Sequence, residues 1–166
     1  MKSLLPILLS AATLPLLPSC APAAKPEPQP AGGQPSASRS AGSNAAIVEY
    51  CRRNNGRKVG DGECWTLANE AFKATGKRRP GADNRVWGRV VNYQSEGVRP
   101  GDIIEFQSAL FPGYITGSKH TAIVAEGGKG DISIAEQNMM GSRKVSFRSI
   151  NLNSKISGKV TVYRPQ

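Results

Sequence analysis

The chemistry this chain can offer rests on a cysteine, a histidine and a nearby carboxylate or carboxamide. The 166 residues include one histidine, His120, which lies 56 residues after Cys64. His120 opens an apolar run, His-Thr-Ala-Ile-Val-Ala, and Glu136, Gln137 and Asn138 follow. A thiolate is a far better nucleophile than a thiol, and a free cysteine is mostly protonated at neutral pH. A neighbouring imidazole or the positive end of a helix lowers the thiol pKa. The imidazole can then protonate a leaving amine. A third group must accept its other ring N–H and fix its tautomer. Cys64 as nucleophile, His120 as base and either Glu136 or Asn138 as the orienting group fit these parts. Backbone N–H groups at a helix start, including that of Cys64, would form part of an oxyanion hole. The reaction class is acyl transfer from an amide or peptide to water. If His120 only packs, the chain has no such chemistry. Asp61 and Glu63 bring negative charge near the thiol, which opposes its ionisation.

The elements that must position these groups are legible in the pattern. Asn44 reads as the N-cap of a helix running to about Asn55, with Ile47, Val48 and Cys51 on one face. Val59-Gly60-Asp61-Gly62-Glu63 is a glycine-rich approach to a second helix. Its apolar stripe is Cys64, Leu67, Ala68, Ala71 and Phe72, and Gly76 ends it. Residues 77–98 read as loop. Val98-Arg99-Pro100-Gly101-Asp102 is a turn into a strand at Ile103–Phe106, and residues 107–119 read as a longer loop. Further strands are predicted over 120–125, 131–138, 143–148 and 159–164. Helices followed by a meandering antiparallel sheet make the class α+β. Trp65, Trp87, Phe106 and Tyr114 read as core or groove walls.

The hairpin count gives His120 a partner. If the turn is 126–130, Ala125 pairs with Asp131 and His120 faces Glu136. A slip of two puts Asn138 opposite His120 instead. Both registers keep Ala122, Val124, Ile132 and Ile134 on one inner face, as a one-sided sheet needs. Gln137 then points outward.

The first 44 residues do not read as folded domain. Lys2, an apolar stretch from Leu4 to Leu17 and small residues after it make a secretory leader, too short and proline-interrupted to span a bilayer. Leu17-Pro18-Ser19-Cys20 resembles a bacterial lipobox, with Cys20 as the lipidated first residue of the mature chain; cleavage after Ala23 is the alternative. Residues 21–44, rich in Ala, Pro, Ser, Gly and Gln, have too little apolar surface to offset the entropy of ordering and read as a tether. The domain is expected over 45–166. The formal charge is +10, and with Lys2, Lys25, Arg39 and Glu27 set aside the domain keeps 19 basic and 11 acidic residues, a net +8. Such a domain would be drawn to anionic polymers, while Lys77-Arg78-Arg79, without interleaved aromatics, does not make a nucleic-acid site. One histidine and two domain cysteines in no ligand-like spacing do not make a zinc site, and no cofactor is expected. Cys51 and Cys64 could pair as a disulfide in an oxidising compartment, or Cys64 could be a buried inert thiol.

Gly62-Glu63-Cys64-Trp65, Arg99-Pro100-Gly101-Asp102 and His120-Thr-Ala-Ile-Val resemble the papain-like superfamily that includes CHAP and NlpC-type domains. Glu136-Gln137-Asn138 falls where CHAP domains place their acidic residue and asparagine. With Gln-Asn and the final Val-Tyr-Arg-Pro, the pattern is most similar to the cysteine-proteinase-fold domain of a fungal actin-patch SH3 protein and of bacterial exported proteins. This resemblance covers about residues 46–165. It implies a papain-like fold, Cys64 as nucleophile, His120 as base, and Glu136 or Asn138 as orienting group. It also implies an amidase or endopeptidase of peptidoglycan; with the leader reading, such an enzyme would sit at the bacterial envelope on a lipid anchor, and a monomer is expected. Two other readings stay open. One is an inactive module of the same fold that binds an anionic wall polymer or a protein. The other is an exported effector that hydrolyses another amide.

Overall fold

The computed structural model describes residues 42–81 and 85–166. The leader, with its candidate lipidation site Cys20, and nearly all of the tether lie outside the described residues. Helix α1 (Gly42–Arg53) starts two residues before Asn44. Asn44 therefore does not cap it, and its side-chain amide donates to the Pro165 carbonyl at 3.3 Å. Helix α2 (Cys64–Ala74) buries the expected stripe of Cys64, Leu67, Ala68, Ala71 and Phe72. Gly76 follows with φ +69, the left-handed residue that a helix end favours.

The strands are β1 (Arg89–Val91), β2 (Ile103–Phe111), β3 (Tyr114–Ile115), β4 (His120–Glu126), β5 (Asp131–Glu136), β6 (Ser146–Asn151) and β7 (Ser157–Arg164), with a short α3 (Tyr93–Glu96) between β1 and β2. The sheet order is β1-β7-β2-β4-β5-β6, with β3 paired to β2. The predicted meander is thus broken: the last strand returns to lie between β1 and β2. Asp102 helps hold that return. Its carboxylate accepts from Arg164 Nε at 3.0 Å and Nη2 at 2.8 Å, and from the Arg99 backbone N–H at 2.8 Å. Such a bidentate, charge-assisted pair fixes geometry as well as adding energy. The turn before it needs Gly101, at φ +85, because a Cβ there would run into the Asn44 carbonyl.

Residues 107–119 are not one long loop. Strand β2 continues to Phe111 past a bulge after Gln107, and Leu110 and Phe111 pair with Ile115 and Tyr114 across Pro112-Gly113. The Pro-Gly pair, read as loop, is the turn of a hairpin. Likewise, β1 and α3 replace part of the loop expected over 77–98.

The sheet is covered on both faces, against the expectation of a one-sided sheet. Ile104, Phe106, Ala122, Val124, Ile132, Ile134 and Val162 share one core with Phe111, Tyr114 and Leu152. Ile103, Ile123 and Ala135 point the other way, into a second core with Ile47, Leu67, Ala71, Phe72 and Trp87. Strand β4 is consequently buried from His120 to Ala125. Each large aliphatic side chain fully buried here stabilises the fold by about 1.5–3 kcal/mol. Trp87 meets Phe72 edge-on with ring centroids 5.3 Å apart, and Arg79 stacks on its other side, 4.3 Å from the ring centre. That member of the Lys77-Arg78-Arg79 cluster is part of the packing.

Candidate active site

Cys64 is the first residue of α2, and the loop leading to it is held at several points. Gln137 Nε2 donates to the Val59 carbonyl at 3.0 Å and to the Glu63 carbonyl at 2.7 Å, while its Oε1 accepts from the Val59 N–H at 3.2 Å. Gln137 is fully buried, not outward as expected. The reason is the second core: α1 and α2 cover the face on which an outward residue would have met water. Arg143 Nη1 donates to the Asp61 carbonyl at 3.2 Å. Gly62, at φ +87, lets that arginine lie close, since a Cβ would come within 2.9 Å of Arg143 Cβ. Asp61 Oδ1 accepts from the Glu63 N–H at 2.9 Å and from Thr66 Oγ1 at 2.6 Å. These bonds, Thr66 first, hold its carboxyl below the ordinary range.

The β4–β5 pairing decides what meets His120. Ile123 faces Ala135 and Val124 faces Ile134. This is the register slipped by two from the first count, and by its numbering Asn138 would lie opposite His120. Strand β5 ends at Glu136, however, and Asn138 sits at φ +60. Its amide donates to Glu63 Oε2 at 2.7 Å, and Arg143 Nη2 takes Glu63 Oε1 at 3.0 Å. Both oxygens of the carboxylate beside the thiol are thereby occupied. Asn138 therefore meets Glu63 rather than the imidazole. Glu136, the diagonal neighbour, reaches His120: Oε2 lies 2.9 Å from Nε2. Diagonal partners across antiparallel strands are within reach of long side chains.

Glu136 is fully buried yet well supplied with donors. Tyr114 Oη donates to Oε2 at 2.7 Å, and Arg148 Nε donates to Oε1 at 3.0 Å. Burial pushes its carboxyl pKa up, but the bonds to His120 and Tyr114, the charge of His120 and the bond from Arg148 outweigh burial and hold it below the ordinary value. An ionised carboxylate on Nε2 requires a proton there. The other ring nitrogen, Nδ1, is left to take a proton from Cys64, the thiol whose ionisation the imidazole favours. Phe106 stacks beside the imidazole, 6.2 Å between centroids at 25°.

The thiol and imidazole titrate as a coupled pair. Burial would raise the thiol pKa, but the His120 hydrogen bond, the Thr121 backbone N–H and the charges of His120 and Arg85 bring it below its ordinary 9.0. Burial would lower the imidazole, but its bonds to Cys64 and Glu136 raise it to about 9. Both shifts favour a thiolate–imidazolium pair. Cys51 contrasts with this: buried among apolar side chains, its thiol is pushed up to about 12. Both cysteines are free thiols.

This chain, over residues 23–166, matches the family model described as the AIM3/BBC1 cysteine proteinase-fold domain. It belongs to that family. Its relatives include Altered inheritance of mitochondria protein 3 of Debaryomyces hansenii, 31% identical over 144 residues, covering 72% of this chain and 15% of the fungal protein. An SH3 domain-containing protein of Schizosaccharomyces pombe is 29% identical over 142 residues, covering 72% of this chain and 9% of its own length. The chain thus spans less than a sixth of the fungal relatives it matches. Among solved structures, Ly7917 shares the fold at TM-score 0.50 and 17% identity, covering 72% of this chain and 62% of Ly7917. Ly7917 with the hydrolyzing product of MDP aligns at TM-score 0.51 and 20% identity, covering 74% and 63%. The fold is papain-like.

Within this cysteine-proteinase fold, several site residues carried no sequence signal of their own. Tyr114 reads as a wall and Arg148 as an ordinary strand residue, yet both bind Glu136. Glu105 lies inside an apolar strand pattern. Its Oε1 accepts from Trp87 Nε1 at 2.7 Å and from Thr121 Oγ1 at 2.8 Å, and Arg85 Nη1 lies 3.4 Å from its Oε2. The clue was a carboxylate in a run of apolar residues, which must find donors if it is buried. Trp65, next to the nucleophile position, stays partly exposed rather than in the core.

Proposed function

We propose that this domain is an exported cysteine amidohydrolase that cleaves amide bonds of peptidoglycan peptides. The observation that carries the reading is the His120–Glu136 pair at 2.9 Å, with Glu136 held ionised by its own partners and the Cys64 thiol lowered by the imidazole. Cys64 thiolate attacks the carbonyl carbon, and the C=O π electrons move onto the oxygen. Backbone N–H groups at the start of α2 would donate to that oxyanion. As the tetrahedral species collapses, His120 gives its Nδ1 proton to the leaving nitrogen and the C–N bond breaks. A thioester to Cys64 remains. Water, deprotonated by His120, then attacks the thioester, the C–S bond breaks, and acid and thiol are released. Glu136 keeps Nε2 protonated throughout and stabilises the imidazolium.

Support for a wall peptide as substrate is the fold shared with Ly7917, a protein captured with the hydrolyzing product of MDP. Support for export is the leader-like first residues, with Cys20 as the lipid-bearing residue at the envelope. The basic surface would favour an anionic polymer as partner. The test is to incubate purified domain 42–166 and its Cys64→Ala variant with peptidoglycan of several peptide chemotypes under reducing conditions. New free amino and carboxyl termini, absent with Cys64→Ala, are expected. Wall sedimentation without any cleavage, unchanged in Cys64→Ala, would support a binding module in its place.

A further inference from the structure

A cavity of about 650 Å³ opens over β1, β7 and β2, with Glu105 of β2 in its wall. That volume is in the range of sites that hold a ligand of several residues' size. Tyr93 and Tyr163 form part of its wall, and Arg85, Lys119 and Lys159 bring three cations to it. The one described acidic residue in the lining, Glu105, is already engaged by Trp87, Thr121 and Arg85. Among the described residues, neither lysine side chain has an ion-pair partner or a hydrogen bond. Lys159 lies on β7 directly across from Gln107 of β2. Lys119 immediately precedes β4 on the other flank of β2, where Phe106 pairs with His120. The two ammonium groups therefore bracket β2 from its two neighbouring strands.

The cavity adjoins the reacting thiol by a short path. Lys119 is the residue before His120. Glu105, in the cavity wall, holds the Thr121 hydroxyl, and Thr121 directly follows His120. Arg85 lines the cavity and its charge also acts on Cys64. A peptide that reaches this cavity would meet three cations, two of them with no side-chain partner among the described residues. Unpaired cations around a partly enclosed space concentrate anions there.

We propose that this cavity is a substrate subsite that takes a carboxylate-bearing residue of the peptide, so that the domain selects acidic peptides. The proposal rests on the amidohydrolase reading above for its meaning. Its physical content, a carboxylate-selective cavity, is measurable without turnover.

The experiment uses the Cys64→Ser form of domain 42–166, so that binding is read without cleavage. The probes are two blocked tripeptides, acetyl-Ala-Glu-Ala-amide and its glutamine counterpart, followed through backbone amide shifts. The glutamate peptide should perturb residues 119–121 and 159–163 and bind more tightly than the glutamine peptide. Lys119→Glu/Lys159→Glu should weaken the glutamate peptide by roughly tenfold or more and leave the glutamine peptide little changed. Lys73→Glu/Lys129→Glu makes the same change in net charge away from the cavity and should preserve the preference. Equal binding of the two peptides, or equal losses in both double variants, overturns the proposal. Iodoacetamide labelling of wild-type Cys64 is run alongside: an unreactive thiol would sink the amidohydrolase reading while leaving the binding result to stand or fall by itself.

Discussion

Glu105 and Glu136 are both buried glutamates, one on each face of the same sheet, and their surroundings drive them in opposite directions. Glu136 has a histidine, an arginine and a tyrosine hydroxyl around it, and its carboxyl is held below the ordinary 4.5. Glu105 has an indole N–H, a threonine hydroxyl and one arginine at 3.4 Å. There burial prevails over those donors, and its carboxyl is raised. Equal burial does not settle the charge of a carboxylate; the number and closeness of its cationic partners do. The pair divides the labour accordingly. Glu136 supplies a fixed negative charge to the imidazole, while Glu105 ties Trp87 to Thr121 behind the thiol.

The largest contrast should come from matched substitutions. Glu136→Gln removes the charge that fixes Nε2–H, so Cys64-dependent turnover should fall by about 10²–10⁴-fold, the scale for losing the orienting carboxylate of such a triad. The iodoacetamide labelling profile of Cys64 should move to higher pH as well, because a less basic His120 supports the thiolate less. Glu105→Gln should leave that profile nearly in place. If both variants lose turnover equally, the division between the two faces is wrong.

The wild-type pH dependence follows from the coupled pair. Turnover should rise as Cys64 ionises, below its ordinary 9.0, and fall as His120 loses its proton near 9. Because the folded His120 pKa lies above the ordinary 6.5, its contribution to stability is complete below about pH 6.5 and is lost as pH rises through about 9. Denaturant midpoints measured between those values should decline, and His120→Ala should remove that part of the decline.

The two glutamates should also differ in acid stability. Glu136, with a lowered pKa, stabilises the fold above pH 4.5 and loses that contribution as pH falls through its folded value. Glu105, with a raised pKa, has its full contribution below 4.5 and loses it as pH rises through its folded value. Glu136→Gln should therefore flatten the acid limb of stability. Glu105→Gln should leave the midpoint at neutral pH within about 1 kcal/mol of wild type, since a carboxamide oxygen can still accept from both Trp87 and Thr121. Equal acid unfolding of the two variants would contradict the assignment. The smallest effect is reserved for Thr121→Val. It removes a hydroxyl bond to Glu105 and leaves the main chain unchanged, so it should cost about 0.5–1.5 kcal/mol of stability. The pH midpoint of Cys64 labelling should not move.

Local pattern was enough to place Cys64 at the start of its helix. The stripe from Cys64 to Phe72 has one period and one end signal, and those depend only on neighbours in the chain. The start of β4 at His120 and the α+β class were legible for the same reason. Register was not: the two candidate pairings satisfy the same alternation, and the bulge between Val124 and Glu126 shifts the strand in a way no alternation records. The choice between Glu136 and Asn138 depended on where β5 stops, and on Glu63 and Arg143 being there to engage Asn138 and its partner.

By itself the sequence determined that any imidazole chemistry must run through His120, that Cys64 opens a helix, and that a carboxylate or amide lies across the hairpin. These follow from composition and from periodicity within one segment. Only the tertiary structure decided which of those groups meets the imidazole. It also buried Gln137, brought Tyr114 and Arg148 to Glu136, and set Glu105 behind the thiol. The physical reason is that the sheet has two covered faces and a last strand inserted between β1 and β2. Partners that lie 12 to 78 residues apart in the chain come together through packing that no local window of sequence contains.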